Sequence, residues 1–164
     1  MLDKFETFQK RCVKWILSEE YYSYNSFFVY LRKCRQVNLL PITKRFDLND
    51  LILFHKTVYN LIPLKMPDYL SFFNGLSRLR SCHLDSLSFV STLQPRNASN
   101  VSLNKSFFYR THTLWNALPL EIRQIESSSA FKNEVIKHLW KLLLMDCDDE
   151  NADFDPEVCL SDID

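Results

Sequence analysis

Glycine is almost absent from this sequence: Gly75 is the single glycine among 164 residues. Loops that cradle phosphate groups need residues without a Cβ where the backbone approaches the phosphate, so Walker-type and dinucleotide-binding loops are excluded. The same scarcity disfavours an all-β fold, because its many tight turns require positive backbone φ angles.

Cysteine pairs suited to metal binding are missing as well. The five cysteines include no Cys-x-x-Cys pair, and their odd number argues against a disulfide framework. Cys82-His83 comes nearest to a zinc motif, but adjacent residues rarely hold one tetrahedral ion together. We therefore expect reduced thiols, and neither a bound metal ion nor a cofactor.

The sequence also lacks long apolar runs and a secretory signal. No apolar run approaches the length of a membrane span, and the stretch from Met1 to Glu6 is charged from its start. We therefore expect an intracellular protein, in the nucleus or the cytoplasm, that does not contact a membrane.

Catalytic motifs are absent too. There is no Gly-x-Ser-x-Gly elbow, and the four histidines are scattered along the chain. Asp148-Asp149 superficially resembles a polymerase carboxylate pair, but no apolar strands flank it to hold it rigidly. We assign no catalytic residue and no small-molecule substrate, and we expect that the chain is not an enzyme.

The net charge of zero conceals a strong asymmetry. Of the 20 acidic residues, nine lie after Met145, where there is no Lys or Arg. The residues up to Met145 therefore carry 11 acidic and 20 basic side chains, or about +9. A basic body suits a polyanionic partner such as nucleic acid. The acidic tail is either a solvated extension or a competitor for the same basic surface.

The spacing of apolar residues predicts a mainly α fold of about five helices with one small β element. We expect one helical domain over residues 1–145 and a disordered acidic tail over residues 146–164. A short helical turn is expected over residues 67–73, and a strand around residues 86–94. The predicted helices cover residues 2–17, 19–36, 41–62, 106–118 and about 127–145.

Helical spacing also predicts which faces are buried. In the first helix the expected inward residues are Leu2, Phe5, Phe8, Cys12 and Ile16. The aromatic-rich second helix can use its rings either in the core or as stacking platforms for bases. The third helix is expected to turn inward the residues Leu48, Leu51, Ile52, His55, Val58, Tyr59 and Ile62.

Three stretches, taken in order, resemble the segment that follows the polymerase core in non-LTR (LINE-type, jockey-like) retrotransposon reverse transcriptases. The stretch from Leu2 to Ile16 is similar to an opening "LE-x-x-Q-x-R" helix, and that from Leu39 to Leu51 to an "L-x-L-x-x-R-R…D-L" helix. A closing pattern "SFxxR…LWNxLP…S…FK" is similar to Ser106-Phe-Phe-Tyr-Arg110, Leu114-Trp-Asn-Ala-Leu-Pro119 and Ser129-Ala-Phe-Lys132.

This resemblance implies a non-catalytic C-terminal fragment of an RNA-directed DNA polymerase that assists RNA or DNA binding. The implied partners are RNA or an RNA–DNA hybrid, and a polymerase core acting in trans. The alternative is a structural or protein-interaction remnant that does not bind nucleic acid. The cations expected to contact nucleic acid are Lys4, Lys10, Arg11, Lys14, Arg32, Lys33, Arg35, Lys105 and Arg110.

Overall fold

The protein is mainly α-helical, as the sequence predicts, with a small two-stranded sheet. The computed structural model describes residues 2–18, 27–73, 85–92 and 106–145. Within them, no helix has the length and apolar character needed to cross a membrane. The helices are α1 (Leu2–Ile16), α2 (Phe27–Gln36), α3 (Ile42–Val58), α4 (Phe107–Ala117), α5 (Leu120–Arg123) and α6 (Ser128–Met145), and the strands are β1 (Leu70–Phe72) and β2 (Phe89–Ser91).

Asparagine ends two of these helices in the place that glycine usually takes. Asn38 follows α2 and Asn60 follows α3, with φ angles of 50° and 53°. Leu39 and Leu61 then donate backbone hydrogen bonds of 2.8 Å back into the last turn of each helix. This is the Schellman arrangement, in which asparagine tolerates the left-handed conformation better than most residues with a Cβ.

The small sheet corrects one prediction and confirms another. Leu70–Phe72 forms β1, so the helical turn expected over residues 67–73 is wrong. β1 pairs antiparallel with β2, and Ser71 lies opposite Val90. The two strands are far apart in the sequence and stabilise each other only by pairing in the folded protein. The spacing of nearby residues therefore does not reveal such a strand. The strand expected around residues 86–94 is present but shorter.

The chain divides into two compact units. Of the described residues, those up to residue 45 and from residue 136 onward form the first unit, and those from 46 to 135 form the second. Helices α3 and α6 have residues in both units. The single domain expected over residues 1–145 stays a prediction, and the acidic tail lies outside the described residues.

Aromatic rings build the core of the second unit. Phe54 of α3 contacts the rings of Phe89 at 5.2 Å and Trp115 at 5.5 Å, measured between centroids. His55 is fully buried, stacks on Phe131 at 4.1 Å, and donates from Nε2 to the carbonyl of Ile125 at 2.7 Å. Burial lowers the pKa of His55, because it disfavours the charged imidazolium. His55 is thus a packed core residue, as its position on the apolar stripe predicts.

Two adjacent residues of the Leu114–Pro119 motif hold β2 against α4. Trp115 donates from its indole nitrogen to the carbonyl of Leu87 at 2.8 Å. The Asn116 amide accepts from the backbone N–H of Phe89 and donates to the backbone carbonyl of the same residue, both at 2.8 Å. The Asn116 side chain therefore satisfies a short strand as a neighbouring strand would. The side chain thus bonds the backbone of β2 and not that of its own helix end.

A buried arginine fixes the segment that leads into β2. Arg123 of α5 is 3% exposed. Its guanidinium donates to Asp85 through two nitrogens, at 3.1 and 2.5 Å, and to the Ser88 hydroxyl at 2.9 Å. Its Nε donates to the carbonyl of Leu118 at 3.0 Å. Because a buried charge is costly unless it is fully paired, this set of bonds makes Arg123 a structural residue.

Candidate nucleic-acid interface

Helix α1 is anchored in the first unit by polar residues. Gln9 is 3% exposed and Val13 is fully buried, so these two residues define the inward face of α1. Gln9 donates to the carbonyl of Leu40 at 3.0 Å and accepts from Arg45 at 2.5 Å. A buried amide is tolerated only when it is hydrogen-bonded, and these partners fix both its position and its direction.

Glu6 completes this anchor. Its carboxylate accepts a hydrogen bond from the Tyr30 hydroxyl of α2 and another, of 3.1 Å, from the backbone N–H of Ile42. Ile42 is the first residue of α3, where the helix dipole favours a negative charge. Burial and the bond to Glu6 raise the pKa of the Tyr30 phenol, which stays protonated and keeps donating. Glu6 and Gln9, the Glu and Gln of the opening motif, thus connect three helices.

The predicted buried face of α1 is wrong in its apolar part. Phe5, Phe8 and Ile16 were expected inside, but they are more than half exposed. The inward side is taken instead by Gln9 and Val13, because Gln9 finds hydrogen-bond partners at Leu40 and Arg45. Spacing alone cannot show that a polar residue has such partners 31 and 36 positions away.

By helical geometry, Lys4 and Arg11 lie opposite Gln9 and Val13, whereas Lys10 and Lys14 lie on one flank of the helix. Lys4 and Arg11 are exposed, and neither makes an ion pair in the described part of the chain. Lys10 lies over the Tyr30 ring at 5.1 Å from its centroid. Lys14 is half-buried and has a partner. The predicted cations of α1 therefore divide between its outer face, with Lys4 and Arg11, and a half-buried flank, with Lys10 and Lys14.

An exposed line of alternating charge and aromatic rings runs along α1. It consists of Lys4, Phe8, Arg11 and Trp15, which we call the α1 stripe. Steps of four, three and four residues place these side chains next to one another. Phe8 is 66% exposed and Trp15 is 85% exposed. Apolar spacing does not identify these rings as surface residues, although their seven-residue spacing repeats that of Lys4 and Arg11.

The three predicted cations of α2 stand partly against aromatic rings. Exposed Arg32 lies over Phe28 at 5.8 Å, and half-buried Arg35 lies over Trp140 of α6 at 5.7 Å. Lys33 is half-buried and has a partner. A guanidinium that covers a ring keeps its charge while it shields apolar surface. Only Arg32 of the three is as open to solvent as Lys4 and Arg11.

The remaining two predicted cations lie apart from α1. Arg110 belongs to the second unit, where it forms an ion pair with Asp50 of α3. In the resemblance, these are the arginine of the "SFxxR" pattern and the aspartate of the "D-L" pattern. Because Asp50 offsets the charge of Arg110, this site offers little net attraction to phosphate. Lys105 lies outside the described residues.

A groove of about 480 Å³ lies beside β1 in the second unit. Its lining is mainly apolar and includes Leu64, Met66 and Phe72. As far as the structure describes the chain, the lining contains no His, Cys or carboxylate, and no three such groups gather elsewhere in a way that could hold a metal ion.

The comparisons with known proteins add no relatives to this description. No family model matches the chain, and no curated protein or solved structure is significantly similar to it.

Proposed function

We propose that the chain is a non-catalytic C-terminal segment of a non-LTR reverse transcriptase that holds RNA or an RNA–DNA hybrid through the outer face of α1. The observation that carries this proposal is the set of four cations along one helix, with Lys4 and Arg11 opposite its anchored face and Lys10 and Lys14 on a flank. A polymerase core acting in trans is the second partner that the proposal includes.

The opening motif supports the proposal because some of its residues bond inside the protein and another is exposed to solvent. Glu6 and Gln9 are used inside the protein, where they bind α2 and the start of α3. Arg11, the arginine of the same motif, is exposed and has no partner among the described residues. Two residues of the motif hold the helix in place, and the third faces solvent. This division suits a helix that presents charge to a ligand.

Binding of this kind is directed at the phosphate backbone and depends on salt. Each phosphate contact contributes a slope of about 0.9 in the logarithm of affinity against the logarithm of salt concentration for duplexes. With four contacts, the affinity should fall on the order of 100-fold between about 50 and about 200 mM salt. Base sequence should matter little, because phosphate contacts carry no sequence information.

The experiment measures fluorescence anisotropy of labelled RNA and of an RNA–DNA hybrid, each about 20 nucleotides long, against the full chain at several salt concentrations. The double variant Lys4→Ala/Arg11→Ala should lower the salt slope by about two. The matched control is Lys65→Ala/Lys132→Ala, which removes two exposed cations of the second unit and should keep the wild-type slope. A folded chain that binds neither nucleic acid at low salt refutes the proposal and favours the structural remnant.

A further inference from the structure

The α1 stripe carries the two most exposed large apolar side chains of the described residues, Phe8 and Trp15. Trp115 is fully buried and Trp140 is 5% exposed, whereas Trp15 is 85% exposed. Phe8 and Trp15 have no ring contact, and Lys4 and Arg11 have no ion pair, within the part of the chain that the structure describes. Exposed rings at a regular spacing on a fixed helix suggest a ligand that covers them.

The alternation of the stripe restricts what that ligand can be. A purely apolar partner would have to bury Lys4 and Arg11 without compensating charge, which is costly. A membrane surface would require Phe8 and Trp15 to share a continuous apolar face, but Lys4 and Arg11 interrupt that face. A ligand with both anionic groups and flat apolar surfaces in alternation satisfies all four side chains.

A single strand of nucleic acid has this chemistry. Its phosphates bind cations, and its unpaired bases offer faces on which aromatic side chains stack. In a duplex those faces are covered by neighbouring base pairs, so only the phosphates remain accessible. Phe8 and Trp15 are seven residues apart, which places them about 10 Å apart along the helix axis.

We infer that the α1 stripe binds single-stranded RNA or DNA, with Phe8 and Trp15 stacked on unpaired bases and Lys4 and Arg11 on the phosphates. This inference rests on the proposed function, since it requires that the outer face of α1 contacts nucleic acid. It adds a preference for unpaired over paired strands, which phosphate contacts alone do not give.

Trp15 itself supplies the readout, because it is the exposed one of three tryptophans. The full chain is titrated with an RNA strand, a DNA strand of the same sequence and a blunt RNA–DNA hybrid, each about 10 nucleotides long. We expect either single strand to quench the tryptophan emission, and the hybrid to leave it nearly unchanged. Quenching by RNA only, by DNA only or by both supports the inference and identifies the strand that binds.

Variants separate stacking from charge. Trp15→Ala should weaken binding of the single strands on the order of tenfold and leave the salt slope unchanged. Trp15→Phe should recover most of the affinity. The control Phe46→Ala removes a half-exposed ring of α3 and should change nothing.

Three outcomes overturn the inference. Equal quenching by the hybrid shows that Trp15 does not need unpaired bases. If Trp15→Ala binds with unchanged affinity and Lys4→Ala/Arg11→Ala has a reduced salt slope, the stacking of Trp15 on bases is ruled out. The proposed function then still stands. Concentration-dependent self-association that Trp15→Ala abolishes, without any binding of nucleic acid, assigns the stripe to a protein contact and removes both proposals.

Discussion

The side chain of Asn116 is expected to carry a measurable part of the stability of the second unit. It makes two hydrogen bonds of 2.8 Å to the backbone of Phe89, whose side chain packs against Phe54. Phe89 is 3% exposed, so water cannot readily replace the lost amide. Asn116→Ala leaves one N–H and one carbonyl unpaired, each at a cost of about 1–3 kcal/mol. We expect a loss of about 2–6 kcal/mol in the free energy of unfolding.

Urea unfolding of the full chain measures this loss, and hydrogen exchange measures where it acts. The Phe89 amide should exchange faster in Asn116→Ala than in the wild type, because its acceptor is gone. The matched control is Asn133→Ala, at an exposed position of α6. This control should change the stability by no more than about 0.7 kcal/mol, in the stabilising direction, because alanine favours helix.

A second variant tests the direction of the hydrogen bonds. Asn116→Asp keeps an acceptor for the Phe89 N–H but places a carboxylate against the Phe89 carbonyl. It should be destabilised at neutral pH and regain part of its stability, relative to the wild type, once the carboxyl protonates and can donate. If Asn116→Ala unfolds at the same urea concentration as the wild type, with unchanged exchange at Phe89, the strand-like role of Asn116 is wrong.

Two further predictions concern buried charge. Arg123→Met should lower the free energy of unfolding by about 3 kcal/mol. This value is at the lower end of the range for broken buried ion pairs, because Asp85 is 27% exposed. If calorimetry finds no loss of stability, the structural role of Arg123 is contradicted. Because the pKa of His55 is lowered in the folded protein, the unfolded state binds more protons. The contribution of His55 to the free energy of unfolding should therefore be fully present above the ordinary histidine pKa of 6.5 and should fall as the pH drops below that value. Urea unfolding at several pH values should show a smaller fall for His55→Gln, and an identical fall would show that His55 does not contribute.

The sequence by itself determined where the long helices lie, although α3 ends at Val58 rather than at residue 62 and the short α5 is not predicted. Apolar spacing predicts the third, fourth and last helices, and Pro41 and Pro119 mark boundaries because proline cannot donate a backbone hydrogen bond. The burial of Trp115 also follows from its place among apolar neighbours, since a large ring gains most from leaving water. These features depend on residues a few positions apart.

Tertiary structure decided which face of α1 is buried and hence what the candidate interface contains. Glu6 and Gln9 turn inward because their partners, Tyr30, Leu40 and Ile42, come from other helices or from the turn between them. Phe8 and Trp15 are consequently left outside, beside Lys4 and Arg11.

The same dependence on distant residues explains β1, which forms only where β2 can pair with it. It also explains Arg123, whose burial is stable only because Asp85 lies within reach. The spacing of apolar residues indicates which regular structure a segment can form, whereas the hydrogen bonds between segments select which of its faces is buried.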